Sequence, residues 1–201
     1  VGYNSLGLNT TGVANTAIGK DALDSNTTGN YNIAIGADSL QANTTGNQNV
    51  AIGRGTMDGN TTASDNTAVG YNALNDNTTG TRNTAVGSGS ADAITTGSYN
   101  TAVGYLSLSS ATTATKNTAV GDYALNATTT GVSNTAVGQG ALQTNSTGTL
   151  NVAMGVDALN QNTTGTQNSA VGTSALTANT TGAENVAIGA LALDANTTAA
   201  N

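Results

Sequence analysis

The sequence predicts an all-β protein, a parallel β-solenoid in which twelve short coils stack into a rod. A seventeen-residue unit recurs along the whole chain with no insertion or deletion, and a short, fixed period marks a stacked repeat architecture. Apolar residues alternate within each unit, which indicates strands. Each unit also carries a Gly and a block of Asn and Thr, residue types that suit tight turns.

Each complete unit begins with an asparagine, which we define as position 1. A partial unit covers residues 1–14, and complete units begin at Asn15, Asn32, Asn49, Asn66, Asn83, Asn100, Asn117, Asn134, Asn151, Asn168 and Asn185. Residues 1–201 therefore form one continuous repeat array. Neither end has an atypical capping unit, which solenoids need for solubility, so we interpret the array as part of a longer chain.

Position 5 is Gly in every unit, position 3 is Ala in every complete unit, and position 4 is Val, Ile or Met. Position 9 is Leu except at Met57 and Ala91. We predict two strands per coil, at about positions 2–5 and 8–11, with turns at Gly-x-x and at Asn-Thr-Thr-Gly. Two corners per coil give a flattened, two-faced β-roll. A helix is disfavoured because Gly, Thr and Asn are weak helix formers.

Stacking at about 4.8 Å turns each position of the unit into a ladder. We expect the residues at positions 4 and 9 to be buried, and the asparagines at position 1 to bond to neighbouring coils. Position 3 is then left as a surface of small side chains for another chain, so we expect self-association. The ladder residues of three coils are Asn66, Ala68, Val69, Gly70 and Leu74; Asn100, Ala102, Val103, Gly104 and Leu108; and Asn117, Ala119, Val120, Gly121 and Leu125.

The coil that begins at Asn83 departs from the pattern. Its position 9 is Ala91, where Leu is the rule, and its position 12 is Ile94, where Asn is usual. A missing Leu leaves a gap that destabilises a core unless another side chain fills it. We therefore expect Ile94 to turn inward, which interrupts the asparagines at this corner.

The composition favours no catalytic or cofactor function. The chain has no His, Cys, Phe, Trp or Pro, and its four bases and eleven acids give a net charge of -7. Catalysis needs several residue types that converge, whereas these charges fall on variable positions, so we predict no enzyme. A negative chain is a poor partner for nucleic acid, and no apolar run is long enough to span a membrane.

Few side chains are candidates for binding. Asp21 and Asp38 share position 7 in adjacent coils and could hold Ca²⁺, although two solvated carboxylates are the simpler interpretation. Asp65 and Arg82 share position 17, which predicts a weak surface ion pair. The six tyrosines lie beside turns, where they could contact sugars or a partner, or simply cover the turn. They are Tyr3, Tyr31, Tyr71, Tyr99, Tyr105 and Tyr123.

The turn sequences suggest two further activities. Ten Asn-x-Thr triplets, most of them like Asn26-Thr27-Thr28, are N-glycosylation acceptors in sequence, and their turn placement predicts accessible asparagines. The same triplet is also ordinary turn chemistry. Regular Thr arrays on flat solenoids suggest ice binding, but Thr78-Thr79 is predicted in a turn rather than on a strand.

The unit resembles two families. Asn49-Val50-Ala51-Ile52-Gly53 and Asn185-Val186-Ala187-Ile188-Gly189 resemble the Asn-x-Val-Ala-Ile-Gly repeats in YadA-type heads of trimeric autotransporter adhesins. The Asn-Thr-Ala-Val-Gly-x-x-Ala-Leu form is similar to repeats of phage tail-fibre-like proteins that end in a self-cleaving chaperone domain. This resemblance implies a left-handed β-roll, a homotrimeric shaft and display outside the cell or virion. We therefore expect a fibre segment, or alternatively an adhesin head that contacts matrix or glycan.

Overall fold

The computed structural model describes residues 1–200 as a single stack of coils with one three-residue strand in each complete coil. The strands are β1 Thr16–Ile18, β2 Ile33–Ile35, β3 Val50–Ile52, β4 Thr67–Val69, β5 Thr84–Val86, β6 Thr101–Val103, β7 Thr118–Val120, β8 Thr135–Val137, β9 Val152–Met154, β10 Ser169–Val171 and β11 Val186–Ile188. They form one eleven-stranded parallel sheet in sequence order. The predicted all-β parallel solenoid is confirmed.

The register between neighbouring strands is the same along the whole sheet. Each residue pairs with the residue at the same position of the next coil, as Ala68 pairs with Ala85 and Val69 with Val86. Parallel strands at about 4.8 Å make the sheet roughly 48 Å long from β1 to β11. A coil therefore contacts mainly its two neighbours, as in other repeat proteins.

The predicted second strand at positions 8–11 is wrong. In its place the chain makes a turn in which the position-9 leucine takes a left-handed conformation, for example φ 53° at Leu74. That conformation costs roughly 1–2 kcal/mol for a residue with a Cβ atom. It is offset because Leu74 is fully buried and its N–H donates to the Ser90 carbonyl of the next coil at 2.9 Å.

The prediction that Val at position 4 is buried and Ala at position 3 exposed is also wrong. Ala68, Ala102 and Ala119 are fully buried, whereas Val86 and Val137 are 36% and 39% exposed. Position-8 residues such as Ala73 are buried as well. The leucine crosses the narrow interior from the opposite side, so the strand residue that faces it has room for little more than a methyl group.

The interior of the coil has a polar half as well as an apolar half. The position-1 and position-12 asparagines are buried along most of the rod. Asn66 and Asn77 both donate from Nδ2 to the Gly80 carbonyl, at 2.9 and 3.0 Å. Each also bonds to its counterpart in the preceding coil, at 3.3 Å to Asn49 and 3.0 Å to Asn60. Most buried side-chain amides are thus paired along two parallel ladders, as is usual for buried polar groups.

The glycine at position 5 lets the chain turn out of the strand against the neighbouring coil. Gly70 has φ +137°, and a Cβ atom there would lie 2.5 Å from the Gly87 carbonyl oxygen. Both the conformation and the close approach require glycine. This accounts for a position at which every unit has the same residue.

Ile94 turns inward in the coil that lacks a leucine, as predicted. Ile94 and Ala91 are both buried in the apolar core.

No helix among residues 1–200 has the length and apolar character that crossing a membrane would require.

Candidate interaction surface

The surface that can interact with other molecules is built from the strands. Since side chains alternate along a strand, positions 2 and 4 of every strand point away from the interior, as the pattern of exposure along β1 to β11 shows. We call these side chains the outward strand face. Two residues from each of eleven strands contribute to it, and all of them are Thr, Ser, Val, Ile or Met.

The outward strand face is uncharged over its whole length, with Val, Ile or Met at position 4 of every strand and Thr, Ser, Val or Ile at position 2. Ile52, Met154 and Val171 are 37%, 44% and 39% exposed. The position-2 threonines of β4 to β8 stand beside this Val and Ile ladder. Long continuous apolar strips on a folded protein mark sites of interaction. The sheet is therefore the part of the rod best suited to contact another macromolecule.

Two edges flank this face. The leading edge is position 17, just before each strand, and the trailing edge is position 6, just after it. All four basic residues of the chain lie on these edges, together with three acids: Lys20, Arg54, Arg82, Lys116, Asp65, Asp122 and Glu184. An apolar centre with a mixed polar rim is the usual anatomy of a protein interface.

The rest of the surface carries acids alone. Eleven acids less the three on the edges leave eight, which lie at positions 7, 10 and 11: Asp21, Asp24, Asp38, Asp58, Asp76, Asp92, Asp157 and Asp194. The net charge of -7 thus divides into +1 around the face and -8 elsewhere. Like charges repel, so the other sides of the rod are unsuited to contact with a second copy.

Burial and repulsion between carboxylates raise the pKa of two of these eight aspartates. Burial raises the pKa of the Asp58 carboxyl, and the negative charges of Asp38 and Asp76 raise it further. Burial also raises the pKa of Asp92, partly opposed by hydrogen bonds from its own backbone N–H and that of Ala93. Desolvation favours the neutral form of a carboxyl group, so these two aspartates destabilise the fold when they ionise.

Of the candidate cation ligands Asp21 and Asp38, the first already has a cationic partner. The Asp21 carboxylate pairs with Lys20 Nζ at 2.7 Å, and the hydrogen bond from Lys20 lowers the pKa of Asp21. Among residues 1–200, no group of three or more side chains of the metal-ligating types comes together. Asp21 is therefore occupied by its neighbour on the chain.

The leading edge contains a short chain of contacts around Arg82. Its Nε lies 3.9 Å from Asp65 Oδ2, which confirms the predicted surface ion pair. Its guanidinium also donates to the Tyr99 hydroxyl at 2.7 Å. Both partners of the ion pair are about half exposed, so it contributes at most about 1 kcal/mol.

The tyrosines lie on both edges of the outward strand face and, at Tyr123, in the turn that follows the trailing edge. Tyr31, Tyr71 and Tyr99 are 62%, 53% and 50% exposed. Tyr105 and Tyr123 pack edge to face, with ring centroids 5.4 Å apart, and burial is the main cause that raises the pKa of Tyr123. Several rings are thus available for stacking on a partner.

The expectation of accessible glycosylation sites is wrong for the asparagines along the middle of the rod. In the triplets at Asn26, Asn43 and Asn77, the asparagine is fully buried, and its Nδ2 donates within the position-12 ladder. That nitrogen is the atom a glycan would join.

The threonines considered for ice binding are not on a strand. Thr78 and Thr79 lie in a turn, so they do not form an array on a strand.

Searches against protein-family models, curated proteins and solved structures find no match to this chain.

The sequence could have revealed the charge asymmetry, because every base falls at position 6 or 17 of the unit. Its meaning depends on knowing which side of the strand points outward.

Proposed function

We propose that this chain is the shaft segment of an extracellular fibre, held together by association of its outward strand faces. The rod itself is a structural repeat protein: every complete coil contributes one strand to the same parallel sheet. The observation that carries the proposal is an uncharged strip of twenty-two side chains, two per strand on eleven strands, of which fifteen are Val, Ile or Met and seven are Thr or Ser, bordered by the chain's only bases.

The arrangement suits a mechanical role more than a chemical one. No pocket opens between the coils among residues 1–200, and the polar side chains inside are engaged in ladders that hold neighbouring coils together. The exposed surfaces repeat every seventeen residues. Length and stiffness, set by the number of coils, are the properties that such a molecule varies most easily.

Self-association can be tested on the full chain with two matched double variants. Val69→Asp/Val120→Asp places charges on the outward strand face, and burying an unpaired charge opposes association. Thr79→Asp/Thr130→Asp introduces the same charges at exposed turn positions away from the strands. Sedimentation should find the native chain and the turn variant associated, and the face variant monomeric with unchanged circular dichroism. A monomeric native chain at micromolar concentration would contradict the proposal.

The fibre role needs a second measurement on the native material. Negative-stain images should show long, thin particles whose width corresponds to several rods side by side. Compact particles of uniform size would count against a shaft.

A binding module is the second candidate, favoured by the exposed tyrosines on the edges. Aromatic rings and their hydroxyls are enriched where proteins contact partners. A glycan and matrix-protein binding screen with the full chain separates the two functions. Specific binding that Tyr71→Ala abolishes, and that the turn variant Thr79→Ala retains, would favour the adhesin interpretation.

A further inference from the structure

When two copies of a repetitive rod associate, their repeated surfaces fit almost equally well at several offsets along the rod. The outward strand face is nearly the same in every coil, so a slip of one coil changes few of its contacts. The edges, in contrast, differ from coil to coil. Any device that fixes how far one copy slides along another must therefore lie on the leading and trailing edges.

The direction of association decides which edges meet. If copies are related by rotation about an axis parallel to the rod, the leading edge of one copy faces the trailing edge of the next. If they are related by a two-fold axis along the strands, like edges meet. Rotation without translation along the axis also brings together the two edges that flank the same strand.

We infer that copies of this chain associate in parallel and in register, fixed by contacts across the edges of β7 and β9. The inference rests on the proposed self-association. Across β7, Lys116 of one copy would face Asp122 of the next. Across β9, Leu150 would face Val156.

Lys116 and Asp122, which flank β7, carry opposite charges, and Lys116 makes no ion pair within residues 1–200 of its own chain. Lys116 is exposed and, within residues 1–200, has no carboxylate oxygen within 4.0 Å. Asp122 is also exposed, and its Oδ1 accepts the Tyr105 N–H at 3.0 Å. That backbone bond holds the carboxylate in place on the trailing edge. A fixed anion that faces a free cation is the kind of rim contact that selects register.

The β9 pair completes an apolar belt across the whole width of the surface. Leu150, Met154 and Val156 are 54%, 44% and 42% exposed, and Val152 is partly exposed between them. The other strands with two apolar outward residues are flanked by a charged residue, as at Arg54 after β3 and Glu184 before β11, or, at β2, by a tyrosine and a small alanine rather than by two aliphatic side chains. Burying this belt against its own counterpart removes four large side chains per copy from water.

Slipping by one coil loses both contacts. One direction places Lys116 beside Tyr105 and Leu150 beside Gln139. It gains only Asp65 beside Arg54, although Asp65 already pairs with Arg82 in its own chain. The other direction places Lys116 beside Gln139 and Leu150 beside Thr173. Of the three arrangements, only the in-register one pairs the free Lys116 with a carboxylate and Leu150 with a second large apolar side chain.

Cysteine cross-linking measures the register directly, because the chain has no cysteine of its own. Disulfides need Cα atoms within about 7 Å, and a slip of one coil adds about 4.8 Å along the rod. Chains with Ser133→Cys are mixed with chains with Gln139→Cys, which flank β8 and lie outside the proposed contacts. Two control mixtures report slips in either direction: Tyr99→Cys with Ser88→Cys, and Gln167→Cys with Ala190→Cys. All of these mixtures use the full chain under mild oxidation.

We expect the β8 mixture to give mixed disulfide dimers and the two slip mixtures to give few. Lys116→Asp should remove most of the β8 product and raise a slip product, and adding Asp122→Lys to the same chain should restore it. Glu184→Lys, whose facing residue Ala190 is neutral, is the matched control and should change nothing.

The outcomes separate the register from the function. A chain that sediments as a monomer overturns both proposals. An associated chain that cross-links mainly in a slip mixture, or between two Ser133→Cys chains, overturns the register and leaves self-association standing. Unchanged β8 cross-linking in Lys116→Asp would show that the charge pair does not set the register.

Discussion

Ile94 takes the place that follows Asn77 in the position-12 ladder, and the Asn77 side-chain oxygen is buried without a hydrogen-bond partner among residues 1–200. In the preceding coils, the next asparagine donates to that oxygen, as Asn77 does to Asn60 at 3.0 Å. The ladder is interrupted over three coils, at Ile94, Ala111 and Thr128, and in the first of these Ile94 fills the space beside Ala91. A buried acceptor without a donor costs about 1–3 kcal/mol.

The exchange between Ala91 and Ile94 predicts a strong coupling between the two positions. Ile94→Asn gives the Asn77 oxygen a donor but leaves a gap beside Ala91. The oxygen of the new side chain then faces Ala111, which has no donor, so we expect Ile94→Asn to lower the free energy of unfolding by about 1–3 kcal/mol. Ala91→Leu alone should overpack the coil and destabilise it by a similar amount. The double variant has the usual Leu and Asn inside this coil, so it should be more stable than either single variant.

A double-mutant cycle by denaturant unfolding measures this coupling. If the two single changes add up to the double change, or if Ile94→Asn alone costs nothing, then Ile94 does not compensate for the missing leucine.

Glycine at position 5 gives a second prediction. Gly70→Ala forces a Cβ atom to 2.5 Å from the Gly87 carbonyl oxygen at φ +137°, so we expect a loss of at least about 2 kcal/mol. Gly59→Ala is the matched control, because Gly59 is not at positive φ and Ala42 occupies the equivalent position of the preceding coil. A Cβ atom at Gly59 would lie 3.0 Å from the Asn75 carbonyl oxygen, a milder contact than at Gly70. Thermal unfolding followed by circular dichroism should separate the two clearly. Equal effects would mean that the turn relaxes freely at position 5.

The sequence predicted the stack and its register but not which side of the strand faces inward. The fixed period decides the stacking, because identical residues must lie over one another. Alternation at positions 2 to 4 decides that a strand forms there, but it is compatible with either Ala68 or Val69 inside. The answer depends on Leu74, which fills the interior from the opposite side. Its left-handed backbone could not be read from the sequence, since leucine is not a residue that favours this conformation.

The same error concealed the interaction surface. With Val69 assigned to the interior, the alanines appeared to be the contact surface, and the bases at positions 6 and 17 had no evident relation to it. Once the valines face outward, those bases border them on both sides. The role proposed for an edge residue such as Lys116 thus depends on the orientation of a strand that begins two residues later.

The acidic side of the rod predicts an unusual dependence on pH. Because burial raises the pKa of Asp58 and of Asp92 in the folded state, folding binds protons at these sites. The free energy of unfolding should therefore increase as pH falls from neutral through the raised pKa values, until the unfolded carboxyls protonate near pH 4. Asp58→Asn/Asp92→Asn should stabilise the chain at pH 7 and flatten this slope.

Asn75→Asp is the opposite control, since it adds a carboxylate at the same position of the coil between Asp58 and Asp92. It should lower stability at pH 7 and steepen the slope. Denaturant unfolding between pH 4 and pH 7 measures both variants. A native chain whose stability falls steadily with acid, and whose Asn variants lose stability at pH 7, would rule out this cause.

Deletions test the solenoid itself. Removing Asn32 to Gln48 takes out one whole unit of seventeen residues, brings Tyr31 directly before Asn49, and realigns every ladder, with Asn26 now followed by Asn60. Removing Ala42 alone is a far smaller change. However, it displaces the position-11 amide that donates to the Asp58 carbonyl at 3.1 Å and shifts the Asn43 corner against both neighbours.

Because each coil contacts mainly its neighbours, the whole-unit deletion should only shorten the rod. The single deletion should lower the melting temperature by several degrees, because a one-residue slip moves side chains to the wrong face until a bulge absorbs it. Circular dichroism melts of the two variants decide the matter, and a larger loss from the whole-unit deletion would show that the coils are not equivalent, exchangeable layers.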